Sequence, residues 1–514
     1  SVDGIAGVID AVLGSFDNID SLRSGSGNDT LLGMNTDAIW TLDSANMYAS
    51  GSSRMHFSGI ENLTGGGGAD IFRIVGTAQV AGNLDGGAGN NDTLDYQAYT
   101  QGVVVNFAIG TASGVRGRIS GIESVISNGM GVTLEGDEKD NLLIGGTGND
   151  VLRGFGGNDI LIGNGGDDRL DGGTGVDTAD YHSSPSAVTV DLSAGTATGQ
   201  GRDTLIGIEN IVGSNFADTL TGDNGDNAFF GGSGDDILNG LGGDDLYRFG
   251  DNAGNDIVDE LAAGGLDTLD FSAATVDLQI SAGSLQVTAT GISVISGGRV
   301  ENIIAGQGLD TLDFSAEVGD QWVTLSSTGS GDGFAGTSSG LMGTFDNLNT
   351  LIGGVGNDTL SGLNAVSTFN LQPAIGEYIS TNALTFTSFE ALLGGSETDT
   401  FAINGIVAFN LNGNAGDDIL HFNDGAALAG AFDGGSGMDT LNFQGNASGR
   451  TVALTGLGSK DGFAGNAPGG TFNNVDRLIG GNATSDALTG LDAPANWMLD
   501  NGISYYISTN ALAF

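Results

Sequence analysis

Apolar residues recur at a fixed spacing in two stretches of the chain, separated each time by a turn rich in Gly and Asp. Between residues 145 and 180, and again between 213 and 248, one apolar position appears every nine residues. A short apolar run bounded by glycine indicates a brief strand with one side chain directed inward. Two such units would complete one coil, and stacked coils would pair as parallel strands. The pattern predicts an all-β parallel β-roll or β-solenoid with little or no helix, and a thin core of Leu152, Leu161, Leu170, Leu220, Phe229, Leu238 and Tyr247.

The nine-residue units share one motif, Gly-Gly-x-Gly-x-Asp-x-apolar-x. The first array reads GGTGNDVLR, GFGGNDILI, GNGGDDRLD and GGTGVDTAD, after a degraded unit at 136–144, and the second array covers 213–248. Single copies begin at residues 65, 353, 413 and 434, with variants at 24 and 394. The motif resembles the haemolysin-type calcium-binding repeat of the repeats-in-toxin (RTX) family. The resemblance implies export through a type I secretion channel and folding in external calcium.

The apolar pattern changes between the arrays. Strand-like runs such as VVVNF at 103, VTVDL at 188 and WVTL at 322 predict that the solenoid continues there with wider coils. The predicted organisation is a long repeat unit A at 1–75, wider coils at 76–135, tandem nonapeptides at 136–180, wider coils at 181–212, tandem nonapeptides at 213–260, wider coils at 261–344, a second unit A at 345–404, a solenoid with similar turns at 405–471, and a truncated third unit A at 472–514.

The long repeat is visible because residues 16–74 align with 345–403 at a constant offset of 345 − 16 = 329. The opening SVDGIAG resembles the middle of GDGFAGTSSG at 331 and KDGFAGNAPG at 460, so we expect the chain to be part of a longer repeat protein. Tyr48, Tyr378 and Tyr505 or Tyr506 fall in one equivalent region of the repeat. They are interpreted either as core residues or as a repeated contact to a neighbouring subunit or a glycan.

Composition limits the possible partners. The 514 residues include 94 Gly but only 4 Pro, which excludes collagen and assigns the glycines to turns. Lys and Arg number 14 against 63 Asp and Glu, and the net charge of −49 should repel nucleic acid and anionic lipid. The absence of Cys excludes disulfides and thiolate metal sites. No apolar run is long enough to span a bilayer, and the regular apolar spacing argues against disorder.

The turns have the composition of calcium sites, because calcium takes roughly six to eight oxygen ligands from carboxylates and carbonyls. Carboxylates two units apart, such as Asp150 and Asp168, would share one edge and repel each other without a cation. We therefore expect several Ca²⁺ ions whose binding is coupled to folding. The predicted ligands are Asp29, Asp70, Asp150, Asp159, Asp168, Asp177, Asp218, Asp236, Asp245, Asp358, Asp399, Asp418 and Asp439, with backbone carbonyls around Gly145, Gly148, Gly157, Gly166, Gly175, Gly234 and Gly243.

A simpler interpretation makes each Asp a solvated turn residue. Asn141 and Asn227 occupy positions where Asp is expected and should weaken their sites, and insertions near Asp92 and Asp486 should have the same effect. Further candidates are Asp332 and Asp461, which lie in loops of a different sequence.

Catalytic motifs are weak. The segment GTSSG at 336–340 matches a nucleophile pattern but stands where the sister repeat has GNAPG. The three His residues, His56, His182 and His421, are far apart in sequence and form no zinc-protease motif. We expect no enzyme, but a calcium-stabilised, secreted structural or adhesive protein of a bacterial surface, filament, sheath or surface layer, with self-association and surface glycans as further partners. The alternative is a β-helical protein that binds or modifies polysaccharide, similar to lyases and epimerases.

Overall fold

The computed structural model describes residues 5–9, 14–89, 91–260, 264–296, 300–498, 505–507 and 511–513. These residues form strands, turns and bends and contain no helix, and hence no helix that could cross a membrane. The first four residues of SVDGIAG lie outside the described residues. Two compact units are present, Ser1–Tyr247 with Leu261–Gly265 and Arg248–Glu260 with Leu266–Phe514.

The strands up to the division between the units are β1 (Ile5–Ile9), β2 (Gly14–Ile19), β3 (Ser21–Arg23), β4 (Thr30–Leu32), β5 (Ala38–Leu42), β6 (Met47–Ser50), β7 (Ser53–Ser58), β8 (Asn62–Thr64), β9 (Asp70–Ile74), β10 (Leu84–Asp85), β11 (Thr93–Asp95), β12 (Val104–Asn106), β13 (Thr111–Ala112), β14 (Ile119–Ser120), β15 (Ser124–Ile126), β16 (Thr133–Glu135), β17 (Leu142–Ile144), β18 (Val151–Gly156), β19 (Ile160–Ile162), β20 (Arg169–Thr174), β21 (Thr178–Asp180), β22 (Thr189–Asp191), β23 (Thr196–Thr198), β24 (Arg202–Ile206), β25 (Asn210–Val212), β26 (Thr219–Thr221), β27 (Ala228–Phe230), β28 (Ile237–Asn239) and β29 (Leu246–Arg248).

The strands of the second unit are β30 (Gly254–Val258), β31 (Thr268–Asp270), β32 (Gln279–Ser281), β33 (Gln286–Ala289), β34 (Ile292–Ser296), β35 (Asn302–Ile304), β36 (Thr311–Asp313), β37 (Trp322–Thr328), β38 (Phe334–Ser338), β39 (Thr344–Leu348), β40 (Thr350–Ile352), β41 (Thr359–Ser361), β42 (Ser367–Leu371), β43 (Gly376–Ile379), β44 (Ala383–Thr387), β45 (Ala391–Leu393), β46 (Asp399–Ile403), β47 (Ile406–Val407), β48 (Asn410–Asn412), β49 (Ile419–Phe422), β50 (Ala427–Leu428), β51 (Ala431–Asp433), β52 (Thr440–Asn442), β53 (Thr451–Leu457), β54 (Phe463–Ala467), β55 (Gly470–Val475), β56 (Arg477–Ile479), β57 (Ala487–Thr489), β58 (Asn496–Met498), β59 (Tyr505–Ile507) and β60 (Ala511–Ala513).

The nonapeptide arrays of the first unit form a parallel solenoid with two strands per coil. Strand β17 pairs in parallel with β19, which places Leu143 beside Leu161, and β16, β18 and β20 stack in the same way on the second face. The partners are 161 − 143 = 18 residues apart, which confirms the predicted coil of two units. The seven predicted core side chains are all buried, at most 1% exposed. The predicted all-β parallel solenoid is confirmed.

The solenoid is extended between the arrays by antiparallel insertions. Strand β22, the VTVDL run, pairs antiparallel with β23, which pairs antiparallel with β24. Strand β24 lies in parallel on β20, and β22 lies in parallel under β26, so a three-stranded meander occupies the space between two coils. In the second unit, β37, β38 and β39 form the same arrangement around the WVTL run. In these two regions, 181–212 and 261–344, the expected wider coils therefore contain local meanders, whereas at 76–135 β10 and β14 pair in parallel.

The three copies of the long repeat, unit A, share a buried tyrosine whose hydroxyl oxygen accepts a backbone N–H. In the first unit, Trp40 contacts Tyr48 and stacks on Phe72, and the Met34 N–H donates to the Tyr48 hydroxyl oxygen at 2.9 Å. In the second unit, the Leu363 N–H donates to the Tyr378 hydroxyl at 2.8 Å, and the Leu491 N–H donates to that of Tyr506 at 2.8 Å. All three tyrosines are buried, so the interpretation as core residues is confirmed.

Replacing Leu161 by Ala should lower the free energy of unfolding in saturating calcium by about 2–5 kcal/mol, because the thin core cannot close over the resulting cavity. The matched control is Ile160→Ala on the same strand, where the side chain is 41% exposed and the loss should be at most about 1 kcal/mol. Urea unfolding followed by circular dichroism measures both. Equal losses for the two variants would contradict the inward position of Leu161 and the outward position of Ile160.

Candidate calcium sites

The turn carboxylates form ladders in which each Asp contacts the backbone of the preceding coil. The Asp150 N–H donates to Asp168 Oδ1 at 2.8 Å, and the Asp159 N–H donates to Asp177 Oδ1 at 2.8 Å. The Asp218 N–H donates in the same way to Asp236. In the second unit, the ladder runs through Asp399, Asp418 and Asp439, with distances of 2.8 and 2.9 Å. The pairs predicted to share an edge are thus brought together.

The second oxygen of the ladder carboxylates, Oδ2, often lacks a hydrogen-bond partner. Oδ2 is buried without a hydrogen-bond partner among the described residues in several ladder members: Asp92, Asp159, Asp168, Asp177, Asp310, Asp418 and Asp439. A buried carboxylate oxygen that accepts no hydrogen bond costs about 1–3 kcal/mol, and more when it is charged. Each such oxygen therefore requires a proton or a cation.

Backbone carbonyls converge on the same oxygen atoms. A methyl group at Gly154 would lie 2.6 Å from the Gly172 carbonyl oxygen and would also meet Asp159 Oδ2. A methyl group at Gly413 would lie 2.5 Å from the Gly434 carbonyl oxygen and would also meet Asp418 Oδ2. The first glycine of a nonapeptide thus faces one carboxylate oxygen from its own turn and one carbonyl oxygen from the next coil. Such all-oxygen sets match the preference of Ca²⁺.

The glycine at the fourth position of the motif has a different function. Gly166 and Gly175 have φ values of 134° and 141°, which other residues adopt only at a cost. In this conformation, Gly166 packs against the Gly148 carbonyl of the preceding coil, and Gly175 packs against that of Gly157. The carbonyls predicted as ligands around Gly148 and Gly157 therefore point along the stack, and the close approach leaves no room for a Cβ.

Burial raises the pKa values of the ladder carboxyls, and the neighbouring carboxylates raise them further. The pKa values of Asp159, Asp168 and Asp439 rise to about 7, and that of Asp418 rises to about 8. In each case desolvation is the largest cause. The same direction holds for Asp70, Asp92, Asp150, Asp177, Asp236, Asp310 and Asp399. The fold concentrates negative charge where water cannot stabilise it.

The predicted ligands have similar environments, with one exception. All are buried except Asp29, which is half-buried and accepts a hydrogen bond from Ser24. The buried ones are Asp70, Asp150, Asp159, Asp168, Asp177, Asp218, Asp236, Asp245, Asp358, Asp399, Asp418 and Asp439. Their role as calcium ligands stays a prediction.

The Asn positions show how a neutral side chain fits the same turn. Asn141 Oδ1 accepts from the Asp137 N–H at 2.8 Å, and Asn227 Oδ1 accepts from the Asp223 N–H at 2.8 Å. The Asn227 amide nitrogen donates to the Glu209 carbonyl at 2.9 Å. The amide thus satisfies the turn without a cation, and weaker calcium binding at these positions stays a prediction.

Three of the buried carboxylates that the sequence motif misses or leaves in doubt are Asp203, Asp310 and Asp92. Asp203 Oδ1 accepts from the Asp168 N–H at 3.0 Å, Asp310 Oδ1 accepts from the Leu278 N–H at 2.7 Å, and Asp92 Oδ1 accepts from the Asp70 N–H at 2.7 Å. They occur in GQGRDTL, GQGLDTL and GAGNNDTL, so a shortened Gly-x-Gly motif with one tolerated insertion would have identified them. Asp486, which was doubted for the same reason, is exposed.

Glutamates cap several turns, and the nonapeptide motif does not include them. The Asp29, Asp92, Asp177, Asp267 and Asp358 N–H groups donate to Oε2 of Glu61, Glu123, Glu209, Glu301 and Glu390, at 2.8–3.0 Å. In each pair the Glu N–H donates back to the Asp carbonyl. The signal in the sequence is a Glu that follows a short apolar step, as in GIES at 121 and GIEN at 207.

Comparison with known families agrees with this geometry. The family model described as the RTX calcium-binding nonapeptide repeat matches residues 16–37, 135–170, 144–179, 212–247, 346–364 and 410–427. The matches include both tandem arrays and the single copies predicted at 24, 353 and 413. No curated protein shows significant similarity to the chain.

Asp168→Asn should weaken calcium binding and stabilise the calcium-free fold, because the amide removes a buried charge beside Asp150 and Asp203. Loss of one site filled at 100 times its Kd removes about 2.7 kcal/mol of stability in calcium. Asp167→Asn is the matched control, since it makes the same charge change one residue away at an exposed position. Denaturant unfolding with calcium and with chelator measures both. Equal effects of the two variants would show that the ladder position is not special.

The stability of the calcium-free protein should fall as the pH rises. The folded-state pKa values of Asp159 and Asp168, about 7, exceed the unfolded value of about 3.9. Their contribution is therefore fully present below pH ~4 and is lost as the pH rises through ~7. Calcium should reverse this trend, and a calcium ion that displaces one proton should bind about tenfold more weakly per unit of pH below 7. A calcium affinity that calorimetry finds constant from pH 8 to 6 would contradict the buried, protonated state.

Proposed function

Because the chain carries RTX calcium-binding nonapeptide repeats and is a calcium-binding repeat protein, we propose that it acts outside a bacterial cell as a structural or adhesive element. Calcium is its cofactor, and folding follows calcium binding. The observation that carries the proposal is the ladder of buried carboxylate oxygens without hydrogen-bond partners, which recurs from coil to coil.

The ladder connects folding to the location of the protein. With a net charge of −49 and a row of buried carboxylates, the coils repel themselves unless cations bind. Free calcium is scarce in the cytosol and abundant outside the cell. The chain would therefore stay unfolded before export, as a type I secretion channel requires, and fold once outside.

The arrangement of the charged residues supports a structural role. Asp150, Asp159, Asp168 and Asp177 occupy equivalent positions in successive turns, and each binds the backbone of the coil before it through Oδ1. A catalytic site is one cluster of chemically different residues at one place, whereas the ladder repeats the same residue and the same contact in successive coils. We accordingly propose that the chain is not an enzyme.

Self-association into a fibre or lattice belongs to the same proposal. Apolar side chains are exposed on the outer faces of the strands and turns, among them Phe230, Ile237, Trp322, Val318 and Met130. Such side chains favour association once bound calcium lowers the charge repulsion between copies. Surface glycans are an alternative partner for the same exposed residues.

The test is a calcium titration of the chelated protein, with magnesium as the control, followed by far-UV circular dichroism and light scattering. We expect a calcium-specific rise in β signal, because cations replace the missing hydrogen-bond donors, and a rise in scattering as copies assemble. A β signal that is complete in chelator and unchanged by calcium would refute calcium-coupled folding. A rise in β signal without scattering would refute self-association and leave a monomeric spacer.

A further inference from the structure

Two hairpins in the second unit have the same loop, and each loop contains one Asp, Asp332 or Asp461. Strands β53 and β54 pair antiparallel, and the loop between them closes through the Gly458 N–H and the Gly462 carbonyl at 3.1 Å. Asn474 Oδ1 accepts from the Lys460 N–H at 2.8 Å and fixes the loop against β55. Asp461 lies in this loop, outside every nonapeptide.

The loop brings Asp461 to two carboxylates of the coil. One carboxylate oxygen from each of Asp439, Asp461 and Asp476 lies within 4.8 Å of the others. Asp439 is 0% exposed, and its Oδ2 has no hydrogen-bond partner among the described residues; the same holds for the buried Oδ1 of Asp461. No Lys, Arg or His in the described part of the chain forms an ion pair with these three carboxylates. The cluster therefore needs either protons or a cation.

Asp476 stands where other turns have a glutamate. The Asp439 N–H donates to Asp476 Oδ2 at 3.3 Å, and the Asp476 N–H donates back to the Asp439 carbonyl at 2.9 Å. This is the pairing that Glu61 and its counterparts make. A methyl group at Gly434 would meet both the Asn474 carbonyl oxygen and Asp439 Oδ2, so a backbone oxygen lies beside the carboxylates as well.

We propose that Asp439 of the nonapeptide at 434 forms a calcium site with Asp461 and Asp476, which lie outside the nonapeptide pattern, and that this site fastens the β53–β54 hairpin to the coil containing Asp439. Three carboxylates and a nearby carbonyl supply only oxygen, which a hard divalent cation prefers. The inference rests on the proposed function only for the identity of the cation. Its new element is that a loop residue distant from any repeat completes the site, so that calcium orders the insertion as well as the coils.

The sister hairpin supplies a natural control. Asp310, Asp332 and Asn349 take the places of Asp439, Asp461 and Asp476, and the Asp310 N–H donates to Asn349 Oδ1 at 3.0 Å. The Asn349 N–H donates back to the Asp310 carbonyl at 3.0 Å. The backbone arrangement is therefore the same, but an amide replaces the third carboxylate. Asp332 Oδ1 is buried without a hydrogen-bond partner among the described residues, as Asp461 Oδ1 is. The carboxylates of the two sites therefore differ in the third one alone, and on this proposal that carboxylate decides whether a cation joins the hairpin to the coil.

The test counts the calcium ions bound to the full chain by native mass spectrometry and follows amide exchange of residues 451–475 with and without calcium. Asp461→Asn should bind one ion fewer and lose the calcium-dependent protection of this hairpin. Asp332→Asn, the matched change in the sister loop, should bind as many ions as the unaltered chain. Asn349→Asp should bind one more, a gain that is measurable even if Asp461→Asn folds poorly.

The proposal is overturned if Asp461→Asn keeps both its ion count and its protected hairpin, or if Asn349→Asp gains no ion. Failure of the proposed function gives a different result, because the unaltered chain would then bind no calcium and every variant would match it. Loss of an ion in Asp461→Asn, with unchanged exchange of residues 145–180, locates the effect at the hairpin and supports the proposal.

Discussion

A buried carboxylate oxygen that no hydrogen-bond donor reaches is the constraint on which the rest of the structure depends. Asp159, Asp168 and Asp418 each use Oδ1 to bind the preceding coil and leave Oδ2 in a dry, acidic environment. The charged form is unfavourable there, as the raised pKa values show. Calcium removes this cost, whereas a proton does so only at lower pH. The fold therefore creates, in one turn after another, a buried carboxylate that a cation would stabilise.

The glycines and the carboxylates depend on each other. The coils approach so closely at the turns that a Cβ at Gly175 would collide with the Gly157 carbonyl. This approach brings carbonyl oxygens beside the carboxylates, but it uses residues that lose much entropy on folding. Most strands of the nonapeptide arrays bury only one large side chain, so cation binding must offset part of that loss.

The antiparallel insertions are stabilised by different interactions from those of the coils. In the β22–β24 and β37–β39 meanders, the strands pair with close neighbours in sequence and bury alternating side chains such as Val190 and Val323. Such local pairing needs no cation. The hairpin that carries Asp461 combines both kinds of interaction. Local hydrogen bonds shape its loop, and the Asp461 carboxylate lies beside the carboxylates of the ladder.

The sequence by itself determined the coil length, the inward side chains and the turn carboxylates, because these depend on a period of nine residues and on local backbone chemistry. Leu161, Gly166 and Asp168 could be assigned from their positions in the motif alone. The tertiary structure decided what joins residues far apart in sequence: the glutamate caps such as Glu209, the ladder place of Asp203, and the meeting of Asp439 with Asp461 and Asp476. No period predicts these contacts, since the insertions differ in length and only strand pairing fixes which turns lie side by side.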